Sequence, residues 1–197
     1  GGADVRPRET DITIPIASAE RTLVLAREWY AKGFRLLKMK VGTDVEEDIR
    51  RIESLVQVLP DVRFLPDGNQ GFSEQECRYF TTEVQRRGAT IVLLEQPLVR
   101  EDLEGMAAIR RDLAVSIAAD ESVRSLEDVK AVVRTRAADF VNVKITKTGV
   151  MQGVDIAQYA RHAGLRLMIG GMVETRVAMG CSFAIVLGLC GFEVLDL

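Results

Sequence analysis

Two lysines, Lys38 and Lys40, lie two positions apart in the apolar segment LLKMKVG. In a β-strand, alternate residues share a face, so both lysines point one way and Met39 points the other. Charged side chains rarely lie on the buried face of a short apolar strand unless they have a function or reach solvent at its end. Two snorkelling lysines would explain this segment alone. A functional role is favoured because other strand ends also carry polar residues.

Polar residues occur at the carboxyl end of nearly every apolar segment with strand character. In chain order they are Thr13, Lys38 with Lys40, Asp67 with Asn69, Glu95, Asp120 with Glu121, Lys144 and Asp196. Three carboxylates, Asp67, Glu95 and Asp120, follow consecutive predicted strands and would converge within a few ångströms. Helix capping or turn formation explains any one of these acids, but not three in succession at the same strand end.

Convergent carboxylates repel and raise one another's pKa unless a cation compensates them. An all-oxygen ligand set with room for waters and substrate suits Mg²⁺ better than zinc. We therefore predict that Asp67, Glu95 and Asp120 bind Mg²⁺. The sole histidine, His162, lies inside a helical pattern, which nearly excludes a histidine-based triad or a zinc site.

Lys40 and Lys144 flank the three acids from opposite sides. A nearby cation lowers the pKa of a lysine from its usual value of about 10.4, and both Mg²⁺ and Lys38 would act on Lys40 in this way. Two such lysines would remove an α-proton from one face of a substrate and deliver one to the other face. A Schiff-base lysine is the rival interpretation, but it needs no metal and leaves the acids unexplained. Lys147, three residues after Lys144, is expected to face solvent.

The elements that carry these residues alternate between strand and helix. Eight strands and seven helices follow one another at a spacing of roughly 25 residues, as expected for strand and crossover-helix units. The predicted strands cover residues 11–16, 36–41, 62–65, 90–94, 115–119, 140–145, 165–169 and 193–197. Such strands must be parallel, and eight of them close most simply into a barrel. An open doubly wound sheet is the alternative, but IASAER after the first strand is not a glycine-rich phosphate turn.

The composition limits the partners. The chain has 197 residues, 47% of them hydrophobic, and a net charge of −3, so it lacks the basic footprint of a nucleic-acid-binding protein. The longest apolar run, 181–192, is too short to span a bilayer, and no membrane partner is expected. The three cysteines show no CxxC spacing, which is typical of reduced thiols and predicts a cytoplasmic protein.

The ordered set of motifs LLKMKVG, PDGNQG, EQP, ADES and VNVKITKTG resembles the enolase superfamily, specifically its muconate-lactonizing-enzyme subgroup. The resemblance covers essentially the whole chain. It implies an α/β fold, a TIM-like (β/α)7β barrel of parallel strands over residues 1–197, without the family's N-terminal capping domain. It also implies that Lys40 and Lys144 are the acid/base pair and that Mg²⁺ binds to the three strand-end acids.

Within the subgroup, the sequence is most similar to dipeptide epimerases of the Ala-Glu type, through the segments GGMVET and GFEVLDL. This similarity implies substrate contacts at Thr13, Lys38, Gly171, Met172 and Asp196, and supporting roles for Asn69, Glu121 and Asn142. Asp196 would be the first aspartate of a DxD motif that binds the amino group of the dipeptide. The second aspartate would follow Leu197, so we expect this chain to be part of a longer protein.

The resemblance predicts a Mg²⁺-dependent isomerase that epimerises L,L-dipeptides such as Ala-Glu by a two-lysine 1,1-proton transfer. Alternatives in the same subgroup are a muconate cycloisomerase, an N-acylamino-acid racemase and a dehydratase-like relative. A catalytically silent metal-binding barrel is an alternative of another class. The expected partner is a small carboxylate substrate, and the complete protein is expected to be a homo-oligomer.

Overall fold

The computed structural model describes residues 8–197, which form one sheet with helices packed on its outer face. The strands are β1 (Ile12–Ile14), β2 (Leu36–Lys40), β3 (Arg63–Asp67), β4 (Thr90–Ile91), β5 (Leu94–Glu95), β6 (Ile117–Ala119), β7 (Phe140–Val143), β8 (Arg166–Gly170) and β9 (Phe192–Asp196). Every pair of neighbouring strands is parallel, and the strands follow chain order around the sheet. The predicted α/β barrel of parallel strands is confirmed.

The helices connect successive strands. They are α1 (Ala19–Ala31), α2 (Val45–Val58), α3 (Glu74–Arg86), α4 (Leu103–Asp112), α5 (Leu126–Thr135), α6 (Ile145–Thr148), α7 (Val150–His162) and α8 (Arg176–Leu189). Side chains that accept hydrogen bonds from backbone N–H groups begin most of them. At α3, Ser73 and Glu76 form a complete capping box. No helix within residues 8–197 has the length and apolar character needed to cross a membrane.

Every predicted strand overlaps an observed strand but has shifted ends, and three of these differences have a clear local cause. The strand predicted at 90–94 is divided into β4 and β5. β4 pairs with β3, whereas Leu94 already donates its backbone N–H to the carbonyl oxygen of Ser116, the residue just before β6. The first strand is Ile12–Ile14 rather than 11–16, since Pro15 has no N–H for a ladder. The strand predicted at 140–145 ends at Val143, because α6 begins directly after Lys144.

A small apolar layer fills the barrel below the polar strand ends. It contains the buried residues Leu36, Leu65, Leu93, Ala118, Phe140, Met168 and Val194. Two positions further along the same strands lie the polar residues Lys38, Asp67, Glu95, Asp120, Asn142 and Asp196. Because alternate strand residues share a face, these polar side chains also point into the barrel. A much larger apolar cluster packs the helices against the outside of the sheet.

The barrel closes between its first and last strands. The backbone N–H of Asp11 donates to the carbonyl oxygen of Leu195 over 3.1 Å, and the Thr10 hydroxyl reaches the same oxygen over 3.1 Å. Within the described residues no β-ladder joins β1 to β9. We call this closure the seam of the barrel.

Candidate active site

A cavity of about 880 Å³ opens at the carboxyl ends of the strands. The predicted site residues that line it are Thr13, Lys38, Lys40, Asn69, Asp120, Glu121, Lys144, Gly171, Met172 and Asp196. Three others, Asp67, Glu95 and Asn142, are fully buried beneath it. The structure therefore brings all the predicted residues to one end of the barrel, and the roles assigned to them stay predictions.

Lys38 lies at the centre of the carboxylates. Its Nζ atom is 2.6 Å from Asp196 Oδ2, 2.8 Å from Glu95 Oε2 and 3.1 Å from Asp67 Oδ2, and the side chain is only 2% exposed. Burial by itself lowers the pKa of Lys38, but the three carboxylates outweigh it and raise that pKa well above its usual value. The ammonium therefore stays charged and links β2 to three other strands.

Lys40 is the more open lysine of the pair. Its Nζ atom lies 2.7 Å from Asp67 Oδ2 and 2.7 Å from Asn69 Oδ1, with 30% of the side chain exposed to the cavity. Asn69 in turn donates from Nδ2 to Glu121 over 3.1 Å. This amide therefore holds Lys40 between the β3 end and the loop after β6.

Lys144 approaches from the opposite side of the barrel. Its ammonium donates to Asp120 Oδ2 and lies 3.8 Å from Glu95 Oε1. Burial lowers the pKa of Lys144, but the neighbouring Glu95 and Asp120 charges outweigh burial and raise it above its usual value. Lys144 thus faces the cavity as a buried cation paired with two of the predicted metal ligands.

The prediction that Lys147 faces solvent is wrong. Its ammonium donates to the Asp120 carboxylate, to the Asp120 backbone oxygen over 2.6 Å and to the Asn142 backbone oxygen over 3.3 Å. The side chain is 15% exposed, and burial lowers the pKa of Lys147. Since α6 starts at the end of β7, one helical turn returns Lys147 to the same side as Lys144. The sequence signal for this position was the i, i+3 spacing of Lys144 and Lys147 in the segment KITK.

Glu95 is fully buried among these charges. Its Oε1 atom accepts a hydrogen bond from Asn142 Nδ2 over 2.7 Å. Its Oε2 atom lies close to Lys38 but has no hydrogen bond of good geometry. Burial, with the negative charges of Asp67 and Asp120, raises the pKa of Glu95 to about 8. This carboxyl group therefore has a free acceptor atom inside the site.

The donor chemistry of Asp67, Glu95 and Asp120 fits a hard divalent cation. All three are buried oxygen donors on successive strand ends, and Glu95 Oε2 lacks a hydrogen bond. In the described part of the chain, no three His, Cys, Asp or Glu side chains are grouped as an ion requires. Lysine ammonium groups lie between the carboxylates instead. Cation binding therefore requires these lysines to move aside.

A buried ion pair that the sequence interpretation missed supports Lys40 from behind. Arg51 is fully buried and donates to the Lys40 backbone oxygen over 2.8 Å, to the Pro15 oxygen over 3.0 Å and to Asp48 Oδ1 over 2.9 Å. Asp48 also accepts the Gly42 N–H over 2.7 Å. The pair therefore fixes the ends of β1 and β2, where Lys40 begins its reach into the cavity. Its only sequence signal was an Asp and an Arg at helical i, i+3 spacing in α2.

Asp11 is a second residue that was missed. It is 4% exposed, lines the cavity and contacts Asp196 across the seam. The sequence interpretation treated Asp11 as the beginning of a strand. Its position two residues before Thr13 places it on the same face as that predicted substrate contact.

The fold and this pocket define a parallel α/β barrel with lysines and carboxylates at the carboxyl ends of its strands. Residues 21–193 match the family model described as "Enolase C-terminal domain-like". The chain belongs to this family.

Individual relatives show where in the family the similarity is strong. The chain is 42% identical over 192 residues to an L-Ala-D/L-amino acid epimerase of Populus trichocarpa, covering 95% of this chain and 46% of the relative. It is 33% identical to an N-succinyl-L-Arg/Lys racemase of Bacillus cereus, covering 86% and 46%. A dipeptide epimerase of Enterococcus faecalis, solved with Mg and the dipeptide L-Leu-L-Tyr, is 30% identical with a TM-score of 0.91, covering 96% of this chain and 54% of that one. The chain spans about half the length of these relatives.

Proposed function

We propose that the protein is a Mg²⁺-dependent isomerase that moves the proton α to a carbonyl group, and that it epimerises L,L-dipeptides such as Ala-Glu. The observation that carries the proposal is the placement of Lys40 and Lys144. They approach one cavity from β2 and from the end of β7, on either side of three buried carboxylates. Because the chain spans about half of each relative, we also propose that this barrel works with a second domain that covers the cavity.

The two lysines divide the proton transfer between them. One lysine, in its neutral form, accepts the α-proton of the substrate at Nζ on one face. The other, as an ammonium, donates a proton to the opposite face, and the configuration inverts. In the reverse direction the lysines exchange roles, so both epimers are substrates. Asp67 and Asn69 position Lys40, and Asp120 positions Lys144.

Asp67, Glu95 and Asp120 would hold the Mg²⁺. When bound, Mg²⁺ stabilises the negative charge that develops on the substrate carboxylate as the α-proton leaves. The Mg complex of the Enterococcus faecalis dipeptide epimerase supports this part of the proposal. Lys38 also lies 2.6 Å from Asp196, a carboxylate outside the proposed metal-binding set, which would remain available to it as a partner.

Dipeptides are favoured as substrates by the names of the relatives and by the acidic end of the cavity. The Populus relative is named for epimerisation of L-Ala-D/L-amino acids, and its identity to this chain exceeds that of the N-succinyl-amino-acid racemase. Asp196 lines the cavity as a carboxylate able to accept a dipeptide ammonium. The racemase similarity keeps N-acylamino acids as the second candidate substrate class.

Deuterium exchange tests the reaction type and the substrate together. The full-length protein is incubated with Mg²⁺ in D₂O and a mixed library of L,L-dipeptides and N-succinyl-L-amino acids. We expect mass spectrometry to detect one deuterium at the α-carbon of dipeptides. Exchange only in the N-succinyl compounds would move the assignment to the racemase. Metal binding with no exchange in any compound would favour a catalytically silent barrel.

A further inference from the structure

The carboxyl group of Asp11 lies at the seam of the barrel, on the wall of the cavity. Its backbone is held by the 3.1 Å hydrogen bond to Leu195, and its side chain is 4% exposed. A hydrogen bond joins its carboxyl group to that of Asp196, the last residue of β9. Two acidic side chains from opposite ends of the chain thus meet on one side of the pocket.

Within residues 8–197, this pair of acids has one ion pair, which joins Asp196 to Lys38. The charged groups that face the Asp11 carboxyl are Asp196 from β9, Lys38 from β2 and Glu95 from β5. Lys38 is already within 3.1 Å of three other carboxylates, and within residues 8–197 Asp11 forms no ion pair. Asp11 Oδ2 is buried and has no hydrogen-bond partner among the described residues.

A proton on the Asp11 carboxyl group reduces the negative charge of this pair of acids. Burial and the negative charge of Asp196 raise the pKa of Asp11 to about 9. The Asp11 carboxyl group therefore carries a proton at neutral pH. A ligand that brings its own positive charge to this point can replace that proton.

We propose that Asp11 is a substrate-binding residue that, together with Asp196, accepts the primary ammonium group of the substrate and so selects dipeptides over N-acylated amino acids. The inference rests on the proposed isomerase function and extends it to a residue that determines specificity. The ammonium group has three N–H donors, and the unpartnered Oδ2 atom of Asp11 supplies an acceptor beside Asp196. The proton on Asp11 leaves to solvent as the ammonium binds.

An N-acylated substrate has no ammonium group that could replace the proton on Asp11. Its amide nitrogen has one N–H and no charge, so it leaves one of the two carboxyl groups without a cation. A site built to bind a charged donor rejects an analogue that lacks it, because its buried polar groups then stay unpaired. We therefore expect the free amine to be required at this end of the cavity.

The test compares Asp11→Asn with the matched control Asp155→Asn in the full-length protein, since Asp155 is exposed on α7. Calorimetric titrations with L-Ala-L-Glu and N-acetyl-L-Ala-L-Glu are run in two buffers of different ionisation enthalpy, and kcat and KM are measured for turnover. For the wild type and the control we expect at least tenfold tighter binding of the free-amine dipeptide, with proton release. In Asp11→Asn we expect at least tenfold weaker binding of that dipeptide without proton release, unchanged binding of the acetylated one, and a rise in KM that exceeds any fall in kcat.

Equal loss of affinity for both ligands in Asp11→Asn, or no loss for the free amine, would overturn the inference. Circular dichroism confirms folding of the variant, and Asp11→Ser replaces it in the same titrations should the asparagine variant misfold. Binding of the dipeptide that depends on Asp11 without any α-deuterium exchange would refute the isomerase proposal alone. Exchange of dipeptides with an unaffected Asp11→Asn variant would refute only the role of Asp11.

Discussion

The side chain of Lys144 occupies the space that a β-carbon at Gly170 would need. A β-carbon built at Gly170 would lie 2.6 Å from Lys144 Cε and 2.8 Å from the amide group of Asn142. These distances are far below van der Waals contact, so any larger residue displaces both side chains. Gly170, the last residue of β8, therefore provides the space that Lys144 needs to reach the cavity.

Substitution of Gly170 tests this relationship. Gly170→Ala shifts Lys144 away from its position, and small displacements of a catalytic group cost on the order of 10²-fold in rate. We expect kcat for dipeptide epimerisation to fall by about that factor, measured by polarimetry. Gly188→Ala in α8 is the matched control, because its β-carbon meets no atom within 4 Å. Equal kcat values for the two variants would show that Lys144 has room to move.

Removal of either lysine is expected to stop epimerisation but to leave α-proton exchange with a different epimer in each variant. Lys40→Met and Lys144→Met should each lower epimerisation by at least about 10³-fold, since inversion needs a base and an acid on opposite faces. Each variant should still exchange the α-proton of the one epimer that faces its remaining lysine. Lys130→Met, which removes an exposed partner of Glu127, is the control. Full turnover in either active-site variant would refute the two-base scheme.

The buried pair of Arg51 and Asp48 is expected to dominate the local stability of the barrel. Arg51→Met leaves the Asp48 charge without its cation and removes the bonds to the ends of β1 and β2, a loss of about 3–5 kcal/mol. Arg50→Met, which breaks an exposed pair with Glu47, should cost less than about 1 kcal/mol. Urea unfolding of the two variants makes the comparison. Similar losses would mean that Arg51 contributes no more than a surface residue.

The proton on Asp11 makes the stability of the fold depend on pH. The folded protein retains this proton up to a pKa of about 9, whereas an unfolded Asp releases it near 3.8. The unfolded state therefore binds fewer protons between these values, and stability falls as pH rises, by up to about 1.4 kcal/mol per pH unit. Asp11→Asn removes the dependence, so its free energy of unfolding should rise relative to wild type from pH 6 to 8. If the free energies of unfolding of wild type and variant changed with pH in parallel, the proton on Asp11 would be contradicted.

Mg²⁺ is expected to stabilise the folded protein. Binding to the native state alone raises the midpoint of thermal unfolding as the Mg²⁺ concentration increases. Asp120→Asn should abolish the shift, and Asp139→Asn, which changes an acid outside the cavity, should retain it. Chelation should remove epimerase activity, and added Mg²⁺ should restore it. A midpoint independent of Mg²⁺ would refute the assignment of the three carboxylates.

Much of the site was predictable because one short-range rule places it. In a strand, the residue two positions after a buried interior residue faces the same side, so Leu36 predicts the direction of Lys38, and Leu65 that of Asp67. Parallel strands then bring their carboxyl ends together. The positions of the catalytic lysine candidates and the acids therefore follow from local alternation and strand order.

The features that were not predicted from the sequence depend on contacts between distant parts of the chain, which local patterns do not encode. The role of Lys147 depends on α6 starting without a loop after β7, and the role of Asp11 depends on its meeting a residue from the opposite end of the chain. The division of the fourth strand into β4 and β5 depends on neighbours on two sides. Lys38 likewise lies among carboxylates from three other strands, which no spacing in the sequence indicates.

The seam has a consequence for how the chain reaches its folded state. The Thr10 hydroxyl and the Leu195 oxygen that meet there are 185 residues apart in the sequence, whereas every other junction joins strands that follow one another. Closing so long a loop costs more entropy than pairing adjacent strands, so we expect the seam to form after the other strand junctions. The Asp11 amide, held by one bond to Leu195, should then lose hydrogen-exchange protection before the central strands open. A ligand bound by both Asp11 and Asp196 would therefore stabilise the seam and slow its opening.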